Sequence, residues 1–153
     1  MPTRKRTRLL KNYMRLWPRE IFDREDVIGT RKRRGLPELA VPGVYVLYRD
    51  DEPFYVGQAR DSMRGRISSH ATRPTARRYH LWNYFSAFHI EDKDDRADVE
   101  GILIAAMPTA NSANPKLPKE RTPRAVQKLF RELRTRKAFG TWPLRRTRAE
   151  TSP

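Results

Sequence analysis

The chain has 153 residues, no cysteine, and 33 lysine and arginine side chains against 18 aspartates and glutamates, for a net charge of +15. Without cysteine, disulfides, thiolate zinc sites and a cysteine nucleophile are excluded. No apolar run approaches the roughly 20 residues that cross a bilayer, and the basic start has no apolar signal core behind it. We therefore expect one domain with a modest core, in the cytoplasm and with no membrane partner.

The positive charge is concentrated at the two ends of the chain. Residues 1–40, 41–114 and 115–153 carry net charges of +7, −1 and +9. A near-neutral centre between two basic arms suggests that the centre holds the chemistry and the arms hold a polyanion, of which nucleic acid is the first candidate. The alternative is two solvated basic tails.

The first arm, residues 1–40, contains a predicted amphipathic helix over residues 7–17, which Pro18 would end. Its apolar stripe, at helical spacing, is Leu9, Leu10, Tyr13, Leu16 and Trp17. The run Arg31–Gly35 follows in a predicted loop. Arg33 and Arg34 in that loop are candidates for a nucleic-acid backbone contact, although simple solvation is equally compatible with the sequence.

The centre begins with a predicted β-hairpin. Residues 43–49 and 53–57 are rich in β-branched and aromatic side chains, and a polar turn joins them. A loop and a helix follow, from Gln58 to about Ala71. The helical spacing gives this helix two faces. One is apolar, with Met63, Ile67 and Ala71, and the other is polar, with Arg66, His70 and Arg73.

A third strand is predicted over residues 82–90, and a second helix runs from the capping side chains of residues 92–95 to about Met107. The last part, residues 115–153, contains a proline-containing linker and a basic helix that Thr122 would cap, reaching Lys137. Its apolar stripe is Val126, Leu129, Phe130 and Leu133, which we expect to pack on the domain. Lys128 and Arg131, on its other faces, are candidates for phosphate contacts.

The predicted fold class is therefore α+β. It consists of a small three-stranded antiparallel sheet flanked by helices, with basic helical extensions at both ends. The domain boundaries that we expect are residues 1–40, 41–114 and 115–153.

The order of motifs in the centre is distinctive. Gly43-Val44-Tyr45 is followed after nine residues by Tyr55-Val56-Gly57, then by Arg66 and His70 four residues apart, and then by Glu100 in front of an apolar run. Over residues 41–114 this order resembles the GIY-YIG nuclease domain. The spacing between the tripeptides is one or two residues shorter than expected, and valine replaces isoleucine in both. Neither change touches a reacting group.

The resemblance implies magnesium-dependent hydrolysis of DNA phosphodiesters, with manganese as a possible substitute. It implies that Tyr45 contacts the attacking water and that Tyr55 orients the water or the phosphate. A tyrosine hydroxyl has a reference pKa of about 10, so a general base of this kind needs a neighbouring cation or metal. For both tyrosines the alternative is simple packing in the sheet.

Arg66 matches the family arginine, and its planar guanidinium would neutralise charge on the scissile phosphate. Arg60 and Arg64 compete for that role, and Arg64 is also a candidate for substrate binding, as is Arg73. His70, on the same helix face as Arg66, would relay a proton or orient Tyr45. The alternative for a lone histidine is a surface or capping role.

Glu100 lies at the head of an apolar run, where a carboxylate needs a cation or another partner. One carboxylate with waters and phosphate oxygens is a normal Mg²⁺ arrangement, so Glu100 is the candidate metal ligand. A salt bridge to a basic neighbour is the alternative. The family also has an asparagine after this helix, which Asn111 or Asn114 would match.

Three functions of different classes remain open. The first is an active metal-dependent DNA endonuclease, with Tyr45 and His70 activating water, Arg66 stabilising the phosphate and Glu100 holding Mg²⁺. The second is a catalytically silent DNA- or RNA-binding module, and the third is a basic component of a ribonucleoprotein. We expect a DNA partner in the nucleoid or another DNA-associated site, and a homodimer or a partner protein is possible. Tyr79, Trp82 and Tyr84 would either stack on exposed bases or pack in the core.

Overall fold

The computed structural model describes residues 8–30, 35–75, 81–107, 109, 111, 117–118 and 121–135. The chain divides into two compact units, Met1–Lys116 and Leu117–Pro153. The predicted contacts of Arg33, Arg34 and Asn114 lie outside the described residues, as do those of Tyr79.

The first unit is built on a four-stranded antiparallel sheet, in the order β1-β4-β2-β3. The strands are β1 (Asn12–Pro18), β2 (Gly43–Arg49), β3 (Glu52–Ala59) and β4 (Tyr84–His89). The predicted α+β class is confirmed, and the three predicted strands are present. The sheet has four strands and not three, since the N-terminal arm supplies an edge strand.

The helix predicted over residues 7–17 is wrong, because β1 occupies most of this segment. Its predicted apolar stripe is largely exposed, whereas Met14, outside that stripe, is buried. β4 offers an open edge to which this segment pairs, and a bulge between Met14 and Trp17 places Leu16 at φ 53°. The energy of sheet pairing therefore overrides the helical spacing of the apolar side chains.

Helices cover both faces of the sheet. The helices of this unit are the single turn α1 (Glu25–Ile28), α2 (Met63–Thr72) and α3 (Lys93–Ala106), with short 3-10 turns at Arg19–Asp23 and Pro37–Leu39. On one face α2 buries Met63, Ile67 and Ala71 against the sheet, as the sequence predicts. On the other, α3 packs against a buried cluster made of Val44, Val46 and Val56 of the sheet and Ile90, which directly follows β4.

The side chains at the start of α2 and α3 explain where these helices begin. Ser62 accepts a hydrogen bond from the Gly65 N–H at the start of α2. Asp92 accepts bonds from the N–H groups of Asp94 and Asp95 at the start of α3, and these bonds hold the pKa of Asp92 below its usual value. Both are N-caps of the expected type.

The second unit contains α4 (Arg124–Thr135), which confirms the predicted C-terminal helix. Leu129 and Phe130 of its apolar stripe are exposed. Lys128 and Arg131 are exposed as well, and Lys128 lies 4.0 Å from Glu132 one turn later. Within the described part of the chain, no helix is long and apolar enough to span a membrane.

Candidate active site at the edge of strand β3

Strand β3 forms one edge of the sheet, and its residues point alternately to the α2 and α3 faces. Gly57 lies opposite Tyr45 of β2, and Gln58 lies opposite Val44. Since Tyr45 packs in the α2 cluster and Val44 in the α3 cluster, consecutive residues of β3 serve different faces. The sequence-predicted site residues are distributed over these two faces.

On the α2 face, three of the predicted residues form an aromatic cluster. The Tyr45 hydroxyl lies 3.0 Å from His70 Nε2, a hydrogen bond whose direction depends on the histidine tautomer. The Tyr55 ring lies edge-on to the imidazole at 5.6 Å between centroids, and 6.2 Å from the Tyr45 ring. The prediction that His70 orients Tyr45 has its geometric basis in this contact.

The sheet and the end of α2 hold the aromatic cluster in place. Tyr45 is only 2% exposed, whereas Tyr55 and His70 are half-buried. The C-terminal end of α2 is also fixed, because Trp82 Nε1 donates to the His70 carbonyl and Arg19 donates to the Ala71 carbonyl. The imidazole therefore reaches the surface from a firmly anchored backbone.

The two glycines of the tripeptide motifs are required by close packing. A Cβ at Gly57 would lie 2.5 Å from both Cζ and the hydroxyl oxygen of Tyr45, and 2.9 Å from the Tyr55 ring. A Cβ at Gly43 would collide with the Phe88 carbonyl oxygen and with Met63 Sδ. The aromatic cluster can form only because position 57 has no side chain.

On the α3 face, Glu100 lies beside the next residue of β3. Gln58 Nε2 donates to Glu100 Oε2 at 2.5 Å, and both side chains are half-buried. Sequence reasoning did not find Gln58. The signal that it missed is the alternation of β3, which places the polar Gln58 on the same face as the buried Val56.

Asn111 makes two hydrogen bonds with the backbone at the outer edge of β3. Its side-chain oxygen accepts from the Val56 N–H at 2.9 Å, and its amide nitrogen donates to the Val56 carbonyl at 2.7 Å. These are the backbone groups that an edge strand leaves without a neighbouring strand. Residues 56, 57 and 58 thus bring Asn111, Tyr45 and Glu100, respectively, to one short stretch of the edge.

The arginines of α2 differ in what they contact. Arg64 Nη1 donates to the Gly35 carbonyl at 2.6 Å, which ties α2 to the segment before β2. Arg66 and Arg73 are exposed, and among the described residues neither guanidinium makes a side-chain hydrogen bond or ion pair. Arg66 is therefore the better placed of Arg64 and Arg66 to meet a ligand from solvent.

The aromatic residues considered for base stacking divide into core and surface. Trp82 is 3% exposed and packs edge-on to Phe85, so it belongs to the core. Tyr84 is 39% exposed on β4. Only Tyr84 of these two presents a ring to solvent.

Comparisons with protein-family models, with curated proteins and with solved structures find no match to this chain. The resemblance to the GIY-YIG domain therefore stays a prediction, and it depends on the motif order and on the geometry at the edge of β3.

Proposed function

We propose that this chain is a metal-dependent endonuclease that hydrolyses DNA phosphodiester bonds at the edge of β3, in the manner of GIY-YIG nucleases. The observation that supports this most is the hydrogen bond between the Tyr45 hydroxyl and His70 Nε2, with Tyr55 against the same imidazole. A phenol and an imidazole in contact form a proton-transfer pair, and the net charge of +15 suits a polyanionic substrate.

Tyr45 and His70 act together as the proton acceptor for the attacking water. Tyr45 is almost wholly buried, and the half-buried imidazole of His70 beside its hydroxyl connects it to the surface. Imidazole is the side chain whose ordinary pKa lies nearest neutrality, and it can take up the proton that the phenol or the water gives up. Tyr55, half-buried beside both, orients the water or a phosphate oxygen.

Arg66 neutralises the charge that develops on the phosphate. Its guanidinium is exposed on α2, four residues before His70, and so lies on the same helix face as the imidazole. A planar guanidinium binds two phosphate oxygens at once. In such reactions catalysis comes mostly from positioning and electrostatics, which an unengaged cation at this place supplies.

Glu100 and Gln58 would hold the magnesium ion. The carboxylate and the side-chain amide oxygen are hard donors of the kind that Mg²⁺ prefers, although Gln58 now presents its amide nitrogen to Glu100. Among the described residues, no three histidines or carboxylates are arranged so that they could hold a metal ion together, so the ion would keep mainly water and phosphate oxygens. When bound, the ion would neutralise phosphate charge and polarise its oxygens.

The proposal is tested by incubating the protein with supercoiled plasmid and with a branched oligonucleotide, in Mg²⁺, Mn²⁺ or EDTA. We expect metal-dependent nicking or cutting that Glu100→Gln reduces by about 10³-fold, a loss typical of a group that stabilises the transition state. The matched control is Asp98→Asn, an exposed carboxylate on the same helix, which should cut like the wild type.

Equal cutting by the Glu100→Gln and wild-type proteins would reject the assigned site. Tight binding of either DNA with no cutting in Mg²⁺ or Mn²⁺ would instead favour a catalytically silent DNA- or RNA-binding module.

A further inference from the structure

A second concave surface lies at the far end of the hairpin from the aromatic cluster. It is a cleft of about 720 Å³ next to the β2–β3 turn and the bulge of β1, which we name the turn cleft. The residues that line it and carry the argument are Arg15, Leu16, Tyr48, Asp50, Asp51 and Tyr84. Tyr48 is three residues beyond Tyr45 on β2, or about 10 Å along the strand.

The wall of the turn cleft is fixed before any ligand arrives. Asn83 accepts from the Asp50 N–H at 2.8 Å and donates to Asp50 Oδ1 at 3.0 Å, and its own N–H donates to the Tyr48 carbonyl. On the opposite side, the Leu16 N–H donates to the buried Ser86 hydroxyl at 3.1 Å. Both the turn and the bulge are therefore tied to β4.

The chemistry of the lining selects a flat ring that carries hydrogen-bond donors. Tyr48 and Tyr84 are direct cross-strand partners, and Leu16 adds an exposed apolar side chain. Asp51 is exposed and makes no hydrogen bond or ion pair with another described residue. Two carboxylates repel a phosphate group, so a phosphate alone is the wrong occupant, whereas an aromatic ring with N–H groups satisfies both features.

We propose that the turn cleft binds an unpaired guanine of the DNA strand, an inference that rests on the proposed endonuclease function and names its substrate class. Guanine presents two adjacent donors, N1–H and the N2 amino group, which match the two oxygens of one carboxylate. Thymine presents a single N–H between two carbonyl oxygens, and a carboxylate repels those oxygens. Arg15, exposed and without a side-chain partner among the described residues, binds the phosphate beside that base.

The probe is a fluorescein-labelled 20-base-pair duplex that carries a single dG bulge, a single dT bulge or no bulge. Binding is measured by fluorescence anisotropy in EDTA, so that no cutting occurs. We expect the dG bulge to bind at least about fivefold more tightly than the other two duplexes, since stacking one base on an aromatic side chain contributes at least that factor. Equal affinity for all three duplexes would overturn the proposal.

Three variants locate the effect. Tyr84→Ala should remove most of the preference for the dG bulge, whereas Tyr13→Ala, which truncates a more exposed tyrosine outside the cleft, should keep it. Asp51→Asn should lower the preference for dG over dT while leaving a smaller preference for a bulge over paired DNA. Loss of the same size in Tyr84→Ala and Tyr13→Ala would contradict the assignment to the turn cleft.

The base preference and the nuclease can fail separately. Glu100→Gln should keep the full dG preference, because that residue lies outside the turn cleft. Plasmid cutting without any bulge preference would overturn the turn cleft and leave the endonuclease intact. Preference for the dG bulge without cutting in Mg²⁺ or Mn²⁺ would overturn the endonuclease and leave the turn cleft intact.

Discussion

The two faces of strand β3 hold the two halves of the candidate site by different means. On the α2 face, Tyr45, Tyr55 and His70 are fixed by burial and by ring packing over Gly57. On the α3 face, Glu100 lies on a helix that packs against the same strand, and it accepts a hydrogen bond from Gln58 of that strand. We call the first the rigid half, because Tyr45 at its centre is part of the core, and the second the adjustable half, because both Glu100 and Gln58 are half-buried.

This difference suggests that the two halves suit different steps, proton transfer and metal binding. Proton transfer needs donor and acceptor at fixed hydrogen-bond distance, which the packed aromatic face provides. Metal binding needs a carboxylate that can turn toward an ion, and a half-buried side chain such as that of Glu100 turns more easily than one in the packed core. The two halves should therefore respond differently to substitution.

Arg66→Ala should reduce cutting more than substitutions at Gln58, Gly57 or Asp92. We expect the single-turnover rate to fall by about 10²–10³-fold while DNA affinity changes little, because the guanidinium acts on charge that develops in the transition state. Arg60→Ala, which removes an exposed arginine just beyond β3, is the matched control. A similar loss in both variants would show that general positive charge, and not Arg66, matters.

Gln58→Met should affect only the adjustable half, by weakening its binding of Mg²⁺. Without the amide that contacts Glu100 and would hold the ion with it, we expect the Mg²⁺ concentration for half-maximal cutting to rise by about tenfold, a loss typical of residues that support a metal site. The rate at saturating Mg²⁺ should stay close to that of the wild type. An unchanged Mg²⁺ requirement would remove Gln58 from the site.

Gly57→Ala should damage the rigid half. The new methyl group meets two aromatic rings that the sheet holds in place, so we expect a loss of about 1–3 kcal/mol in the free energy of unfolding, measured with urea, together with slower cutting. The control is Gly65→Ala on α2, where no atom lies within 4 Å and alanine should stabilise the helix by about 0.5–1 kcal/mol. Equal stability of the two variants would contradict the packing over Gly57.

Asp92→Ala should have the smallest effect, confined to the start of α3. Backbone hydrogen bonds from Asp95 and Asp94 lower the pKa of Asp92 from its ordinary 3.8 in the folded chain. The stability that the cap contributes is therefore present above pH 3.8 and is lost as the pH falls through the lowered pKa. The melting temperature of the variant should lie below that of the wild type at pH 7, and the gap should close in acid.

The sequence predicted the elements whose patterns are local. The β-branched and aromatic runs of β2 and β3 and the helical spacing of Met63, Ile67 and Ala71 are local patterns, and the structure confirms the hairpin and the helix that they predict. Strand β1 could not be predicted in the same way. Its partner β4 lies far away in the chain, with Asn12 paired to His89 and Pro18 to Tyr84, and only the open edge of that strand decides between helix and strand.

The candidate site shows the same limit. The family resemblance predicts that His70 relays a proton or orients Tyr45, and the structure places the Tyr45 hydroxyl 3.0 Å from His70 Nε2. The Gln58–Glu100 contact and the hydrogen bonds of Asn111 to Val56 form only when α3 and the residues after it pack at the edge of β3. No local sequence pattern predicts that packing.

The central claim, that a metal ion held by Glu100 lies beside the aromatic face of β3, is tested most directly by paramagnetic NMR. Mn²⁺ is added at a fraction of the protein concentration, and line broadening is measured at Gly57, Gln58 and the His70 ring. We predict selective broadening of these three signals, kept in Asp98→Asn and lost in Glu100→Gln. Broadening that survives Glu100→Gln, or that spares His70 and Gly57, would contradict a single site shared by the two faces.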